Sequence, residues 1–445
     1  MNDISPATRQ RRRVPDAPAT HPASPTPPTP PTPQDGSPRP GSLPRLVGLD
    51  LARFVAIVGM MCVHLMPTAG TPGAVEWLSS ITEGNASTLF AVIGGVSVVL
   101  ATRRYLEHGH GAAARWALLT RALLVMILGA TLGLMPGNIV VVLVYFGAAM
   151  IFCIPLLGVR PSRLLAGAGL LAALGPIANA MLRSSLQVVD EGGSLGWNTV
   201  IGDPLGAGRA VLITGMYPVV TWLVYLLVGM AFATWLLDAR RDGSQTRLLR
   251  RAAVVGASAT AAAFAISWLL ATVGGQAAMV SSLPGLTPEQ LTMLTRSPGF
   301  GAPFSSDWWA LALRTPHTGT TLDILRGTGL AVLVISLLLM ATARLPKNAA
   351  RVTEPLRAAG AAPLTVYTLH VAAAGLTTVA LQLLVEGGAT LTGYPWWYSG
   401  PVIVAVHVTA AIAVGAVLAL LDRRGPLEAF VSGCSRRAAR RLTRG

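Results

Sequence analysis

The chain has 445 residues, 52% hydrophobic and 12% charged, with a mean hydropathy of +0.57 and a net charge of +15. Soluble domains carry about 25% charged residues, so this composition excludes an ordinary globular protein. The repeated apolar runs match the length of membrane-spanning helices, and the ~10-residue alternating segments of a membrane barrel are absent.

Residues 1–44 form a Pro/Thr/Ser-rich tail with almost no apolar side chain, expected to lack a packed core and to lie in the cytoplasm. The domain that follows, 45–430, reads as an all-α polytopic bundle of about ten spans. They fall near 46–66, 85–104, 116–134, 138–157, 163–182, 210–236, 251–273, 322–343, 361–384 and 400–421. Residues 431–445 read as a basic cytoplasmic tail. Of the 34 Lys and Arg residues, 27 fall in the segments on one side and four on the other. This asymmetry predicts both termini in the cytoplasm of a multi-pass cell-membrane protein. It also accounts for the positive charge without nucleic acid, because no single folded region gathers it.

The first span, LVGLDLARFVAIVGMMCVHLMP, carries Asp50, Arg53 and His64 at membrane depth. Ionisable groups there are costly and face a polar interior or a partner. Asp50 and Arg53 stand at i and i+3 and can pair. Arg53 and His64 are separated by about three turns and share a face, roughly 16 Å apart along the axis. Cys62 and Cys153 fall within spans and read as packing residues. With Cys434 they form neither a disulfide framework nor a metal-ligand spacing, and no metal site is expected.

Further along, Glu83 and Asn85 precede the second span from outside, where Asn85 also suits a helix N-cap. Arg103, Arg104 and Arg121 lie toward the cytoplasm. Of two long outside loops, the second holds Trp308 to Leu313, an apolar piece too short to span. His317, Asp323 and Arg326 enter the eighth span from outside, with Asp323 and Arg326 again at i and i+3. His370 sits nearer the cytoplasm, and His407 is a lone histidine on an apolar helix that reads as packing. Trp308, Trp309, Tyr394, Trp396, Trp397 and Tyr398 suit either an interfacial aromatic belt or a stacking platform for a sugar. His64 is the group suited to general-base chemistry near neutral pH, with Glu83 close in topology.

The segment RLVGLDLARFVAIVGMMCVH resembles the opening signature of transmembrane acyltransferases, in which a basic residue precedes a histidine by eleven positions. Here these are Arg53 and His64. EGNASTLFAVIGGVSVVLATRR resembles the following segment of the heparan-α-glucosaminide N-acetyltransferase-like branch. TGMYPVVTWLVYLLVGMAFA, PHTGTTLDILRGTGLAV and GAAPLTVYTLHV resemble the C-terminal half of related bacterial membrane proteins. Lysosomal members carry an acidic residue and a Phe-Pro pair in the segment corresponding to residues 83–91, where this chain reads Ser87-Thr88-Leu89-Phe90-Ala91.

The resemblance implies acetyl or acyl transfer from cytoplasmic acyl-CoA, a co-substrate rather than a bound cofactor, to an extracytoplasmic glycan or other cell-envelope acceptor. His64 would then be catalytic with Arg53 as its motif partner. Asp50, Glu83, Asn85, His317, Asp323 and Arg326 would support the site or the acceptor, and Arg103, Arg104 and Arg121 would attract the donor phosphates. A transporter or flippase using the same intramembrane charges, and a non-catalytic membrane partner, are the competing readings.

Overall fold

A computed structural model of the chain describes residues 46–66, 81–186 and 193–442. The Pro-rich stretch 1–44 lies outside them. The described residues are helical, without strands. The main helices are α1 (Val47–Leu65), α2 (Asn85–Glu107), α3 (Gly111–Leu132), α4 (Leu143–Cys153), α5 (Pro161–Leu186), α6 (Val219–Arg241), α7 (Gln245–Leu270), α8 (Thr321–Thr342), α9 (Pro363–Glu386), α10 (Pro401–Leu420) and α11 (Pro426–Arg440). Among the described residues, nine helices are long and apolar enough to cross a membrane, with α7 continuing to Ser282 in that set. The protein is a multi-pass membrane protein.

The fourth expected span, 138–157, differs from a plain helix. Only Leu143–Cys153 is α-helical, followed by a 3-10 turn to Leu156. Its approach, 138–142, is not helical. Irregular backbone at membrane depth survives only where protein or water satisfies it. Ser194 does this here: its hydroxyl donates to the Ile139 carbonyl at 2.8 Å and accepts from the Val141 N–H at 3.0 Å. The segment still runs between the two ends of the bundle. Its start meets Ser194, while Met150 lines a cavity with Arg53 and Arg121.

Those ends are chemically distinct. One collects Asp50, Arg357, the Arg241–Glu107 pair and α11. The other collects His64, Asn85, the 193–196 turn and the 299–319 loop. The segment after residue 430, read as a basic tail, belongs to helix α11, which buries Val431, Ser435 and Ala439. Within α11, the Glu428 carboxylate accepts from the N–H groups of Leu364 and Thr365, at 2.6 and 3.2 Å, and from the Thr365 hydroxyl at 2.7 Å. A carboxylate here satisfies orphan donors at the start of α9 and opposes the positive end of its dipole. It thereby anchors the helix that carries His370.

Helices α2 and α6 meet through glycine. A Cβ at Gly229 would lie 1.9 Å from the Val92 carbonyl oxygen, and one at Gly95 would lie 2.1 Å from that of Leu226. Small residues permit this backbone approach in lipid, where packing rather than water exclusion drives helix association. The core around it, including Tyr145, Ile93, Leu226 and Met230, is closed to solvent.

The charge asymmetry yields a test of orientation. In a background lacking Cys434, Glu289→Cys is expected to react with an impermeant maleimide on intact cells, and Thr246→Cys to stay unlabelled. The reverse pattern would put the basic end outside.

Candidate active site

At the basic end, the first turns of α1 form the pair expected from its spacing. Arg53 Nη1 donates to Asp50 Oδ1 at 2.6 Å, and Arg53 Nη2 donates to Ser97 Oγ on α2 at 3.0 Å. Arg357, which the sequence does not single out, adds a contact to Asp50 Oδ2 at 3.7 Å and pairs with Glu354. Arg53 and Arg121 line one narrow cavity of about 60 Å³ with Ser97, Phe90, Phe146 and Met150. Arg103 and Arg104, expected with them, do not line it. They stand at the last turn of α2, beyond Ser97, where Arg104 is exposed.

At the other end, His64 occupies the last turn of α1. The helix stops there because Met66 precedes Pro67 and is extended, and the Leu65 carbonyl it leaves open accepts from the Gly400 N–H at 2.8 Å and the Ser399 hydroxyl at 3.1 Å. His64 does not pair with Glu83. Its Nδ1 faces His370 Nε2 at 3.0 Å, and His370 Nδ1 faces His407 Nδ1 at 2.8 Å. The His64 and His370 rings lie nearly parallel, interplanar 7° with centroids 5.3 Å apart, so the ring nitrogens meet edge to edge, and the His370 and His407 rings meet at 85°. His370 therefore lies level with His64 rather than nearer the basic end, and His407 has a polar partner rather than only apolar packing.

His64 also lines a cavity of about 290 Å³ with Met135, Asn138, Thr377, Thr378, Tyr394, Tyr398 and Ser399. The Tyr394 and Tyr398 rings lie 5.3 Å apart. Two members of the expected aromatic group thus reach the site. Trp309 is instead buried with Met279 and Leu291 in a satellite core, and Trp308 and Trp396 are exposed.

The remaining expected residues gather beside this cavity. Arg326 Nη1 donates to Asn85 Oδ1 and Nη2 to Asp323 Oδ1, both at 2.8 Å. Asn85 is therefore not the N-cap of α2. Gly84 holds that position, while the Asn85 amide donates to Ile81 O. Asp323 Oδ2 accepts from the Gly319 N–H at 3.2 Å. Asp323 and Arg326 are both 5% exposed. Glu83 sits close by, its carboxyl pushed up by burial and partly restored by Arg326. His317, left-handed at φ 59°, packs edge-on against Tyr217. A small space lined by His64, Gly84, Ser87, Tyr217, His317 and Tyr367 joins this group to His64.

Burial and the nearby Arg326 hold the His317 imidazole down to about 4. The folded protein resists a proton that the unfolded chain accepts near pH ~6.5. Stability from this group is fully present above that value and is lost as pH falls toward 4. The loss of thermal stability between about pH 7.5 and pH 5 is expected to shrink in His317→Asn, which tolerates positive φ. Equal losses in both proteins would show that His317 is not held neutral.

The family model described as "Heparan-alpha-glucosaminide N-acetyltransferase, catalytic" matches residues 45–270. The matched region contains Asp50, Arg53, His64, Glu83, Asn85 and Arg121. His317, Asp323, Arg326, His370 and His407 lie beyond it. No curated protein matches the chain at a significant level.

Proposed function

Since the chain belongs to the heparan-α-glucosaminide N-acetyltransferase family, we propose that it transfers an acyl group, most simply acetyl, from cytoplasmic acyl-CoA to an extracytoplasmic carbohydrate acceptor of the cell envelope. The observation that carries this reading is the placement of His64. One ring nitrogen is engaged by His370, and the ring itself lines a cavity walled by two tyrosines and several hydroxyl and amide groups. Convergent polar groups in a concave cavity fix the orientation of a small molecule, and aromatic faces suit sugar rings.

In the proposed step the acceptor hydroxyl or amine gives its proton to His64 Nε2 as its oxygen or nitrogen bonds to the thioester carbon. The C–S bond then breaks, and the CoA sulfur takes the proton from the imidazole. Arg53 and Arg121 sit toward the basic end of the same bundle, where they suit the anionic part of the donor. The name of the family points to an amino sugar, so glucosaminides are the first acceptors to test.

Proteoliposomes with labelled acetyl-CoA on the basic face and amino sugars on the other test the proposal. Labelled sugar should accumulate while CoA stays on its own side. Unmodified sugar crossing without acylation would instead establish transport. Arg53→Lys keeps the charge but loses the planar fork that spans Asp50 and Ser97, so activity should fall about tenfold with normal expression. Full activity in Arg53→Met would remove this residue from the donor path.

A further inference from the structure

Three imidazoles from three helices stand in line: His64 on α1, His370 on α9 and His407 on α10. A neutral imidazole carries one ring proton, so it donates through one nitrogen and accepts through the other. Two ring-to-ring hydrogen bonds use two protons, and the third must sit on the outer nitrogen of one end. Only two arrangements satisfy both contacts. In one, His64 Nδ1 donates to His370 Nε2, His370 Nδ1 donates to His407 Nδ1, and the spare proton is on His407 Nε2. The other reverses every bond and puts the spare proton on His64 Nε2, where it disables that ring as a base.

Among the described residues, no carboxylate hydrogen-bonds any of the three rings. The orienting role that an acidic side chain plays in many catalytic triads therefore falls to imidazole. His370 is 2% and His407 7% exposed. His407 faces an apolar cleft of about 290 Å³ lined by Met61, Val366, Leu369 and Val414. In such surroundings an unmade hydrogen bond is expensive, which keeps the rings engaged with one another.

We infer that His407 is a positioning residue for acyl transfer. When it accepts from His370 Nδ1 it holds the His370 proton on that nitrogen, so His370 Nε2 accepts from His64 Nδ1 and His64 Nε2 is left bare toward the acceptor. An acceptor hydroxyl or amine that donates into the site selects this arrangement. When the proton taken up by His64 passes to the CoA sulfur, the three rings end as they began. The inference rests on the acyltransfer reading above and adds a residue that sequence pattern assigns to packing.

The test uses the full protein in nanodiscs. His407→Leu fills the space without a hydrogen bond, whereas His407→Asn keeps a polar atom near the Nδ1 position. His407→Leu is expected to lower kcat at least about tenfold, with KM for donor and acceptor within about twofold. His407→Asn should recover most of the loss. Solid-state 15N spectra of histidine-labelled protein distinguish bare from protonated ring nitrogens. His64 should keep the wild-type pattern in His407→Asn and lose it in His407→Leu. Wild-type kcat in His407→Leu, a loss carried by KM, or His407→Asn no better than His407→Leu would each overturn the inference. If the wild type transfers no acyl group, the acyltransfer reading fails, while the nitrogen spectra still decide whether His407 sets the His64 tautomer.

Discussion

Replacing His64 with alanine is expected to abolish acyl transfer, by at least about 100-fold, while the protein inserts and purifies normally. Removing a general base costs roughly 10²–10⁴ in rate. The structural cost is small by comparison. His64 sits in the last turn of α1, and that turn is held by the Gly400 and Ser399 caps on Leu65, which the substitution leaves in place. The substitution leaves the buried His370 Nε2 without the His64 ring, at a cost of about 1–3 kcal/mol. Donor-dependent product formation in proteoliposomes is the measurement, with monodisperse elution as the folding control. A fully active His64→Ala protein would leave transport or scaffolding as the better account of the polar groups.

Arg326→Leu is expected to act in the opposite way, on stability before activity. Arg326 is buried and donates to both Asp323 and Asn85. Its removal leaves the buried Asp323 carboxylate without its counter-ion, with the Gly319 N–H still bound to it, and breaking one partner of a buried pair costs on the order of 3–5 kcal/mol. That is a large share of the stability of a typical fold. Thermal unfolding in detergent should fall by several degrees, followed by loss of monodispersity. The double variant Asp323→Leu/Arg326→Leu should recover part of the loss, because apolar replacement of both ions is often tolerated. A double variant less stable than Arg326→Leu alone would show that the Gly319 N–H, rather than the arginine, is the main support of the carboxylate.

What the sequence makes legible follows from locality. Apolar runs expose the long helices, and i,i+3 spacing exposes Asp50–Arg53 and Asp323–Arg326, because both signals lie within one helix. The Arg326–Asn85 bond joins positions 241 residues apart, and nothing near Asn85 distinguishes it from a helix cap. The histidine row is hidden for the same reason. His370 and His407 are each a single polar residue in an apolar helix, and hydropathy carries no information about which helices touch or at what height. One signal was available: three apolar spans each hold a histidine. Reading them as a set requires knowing that α1, α9 and α10 are neighbours. The aromatic residues divide similarly, since Trp309 and Tyr398 look alike in sequence but end in a satellite core and a cavity wall.

The Ser194 clasp on 139–141 also sets an order of assembly. The chain emerges from the ribosome N-terminus first, so Ile139 and Val141 are made more than fifty residues before the serine that satisfies them. Until Ser194 arrives, the Ile139 carbonyl and Val141 amide lack their final partner, and a bilayer supplies no substitute. Nascent chains halted between α4 and the 193–196 turn are therefore expected to hold this segment in a form other than the folded one. The half of the bundle built first becomes native only when a later loop returns to it, so early quality control meets the protein while its cavity wall is still unfinished.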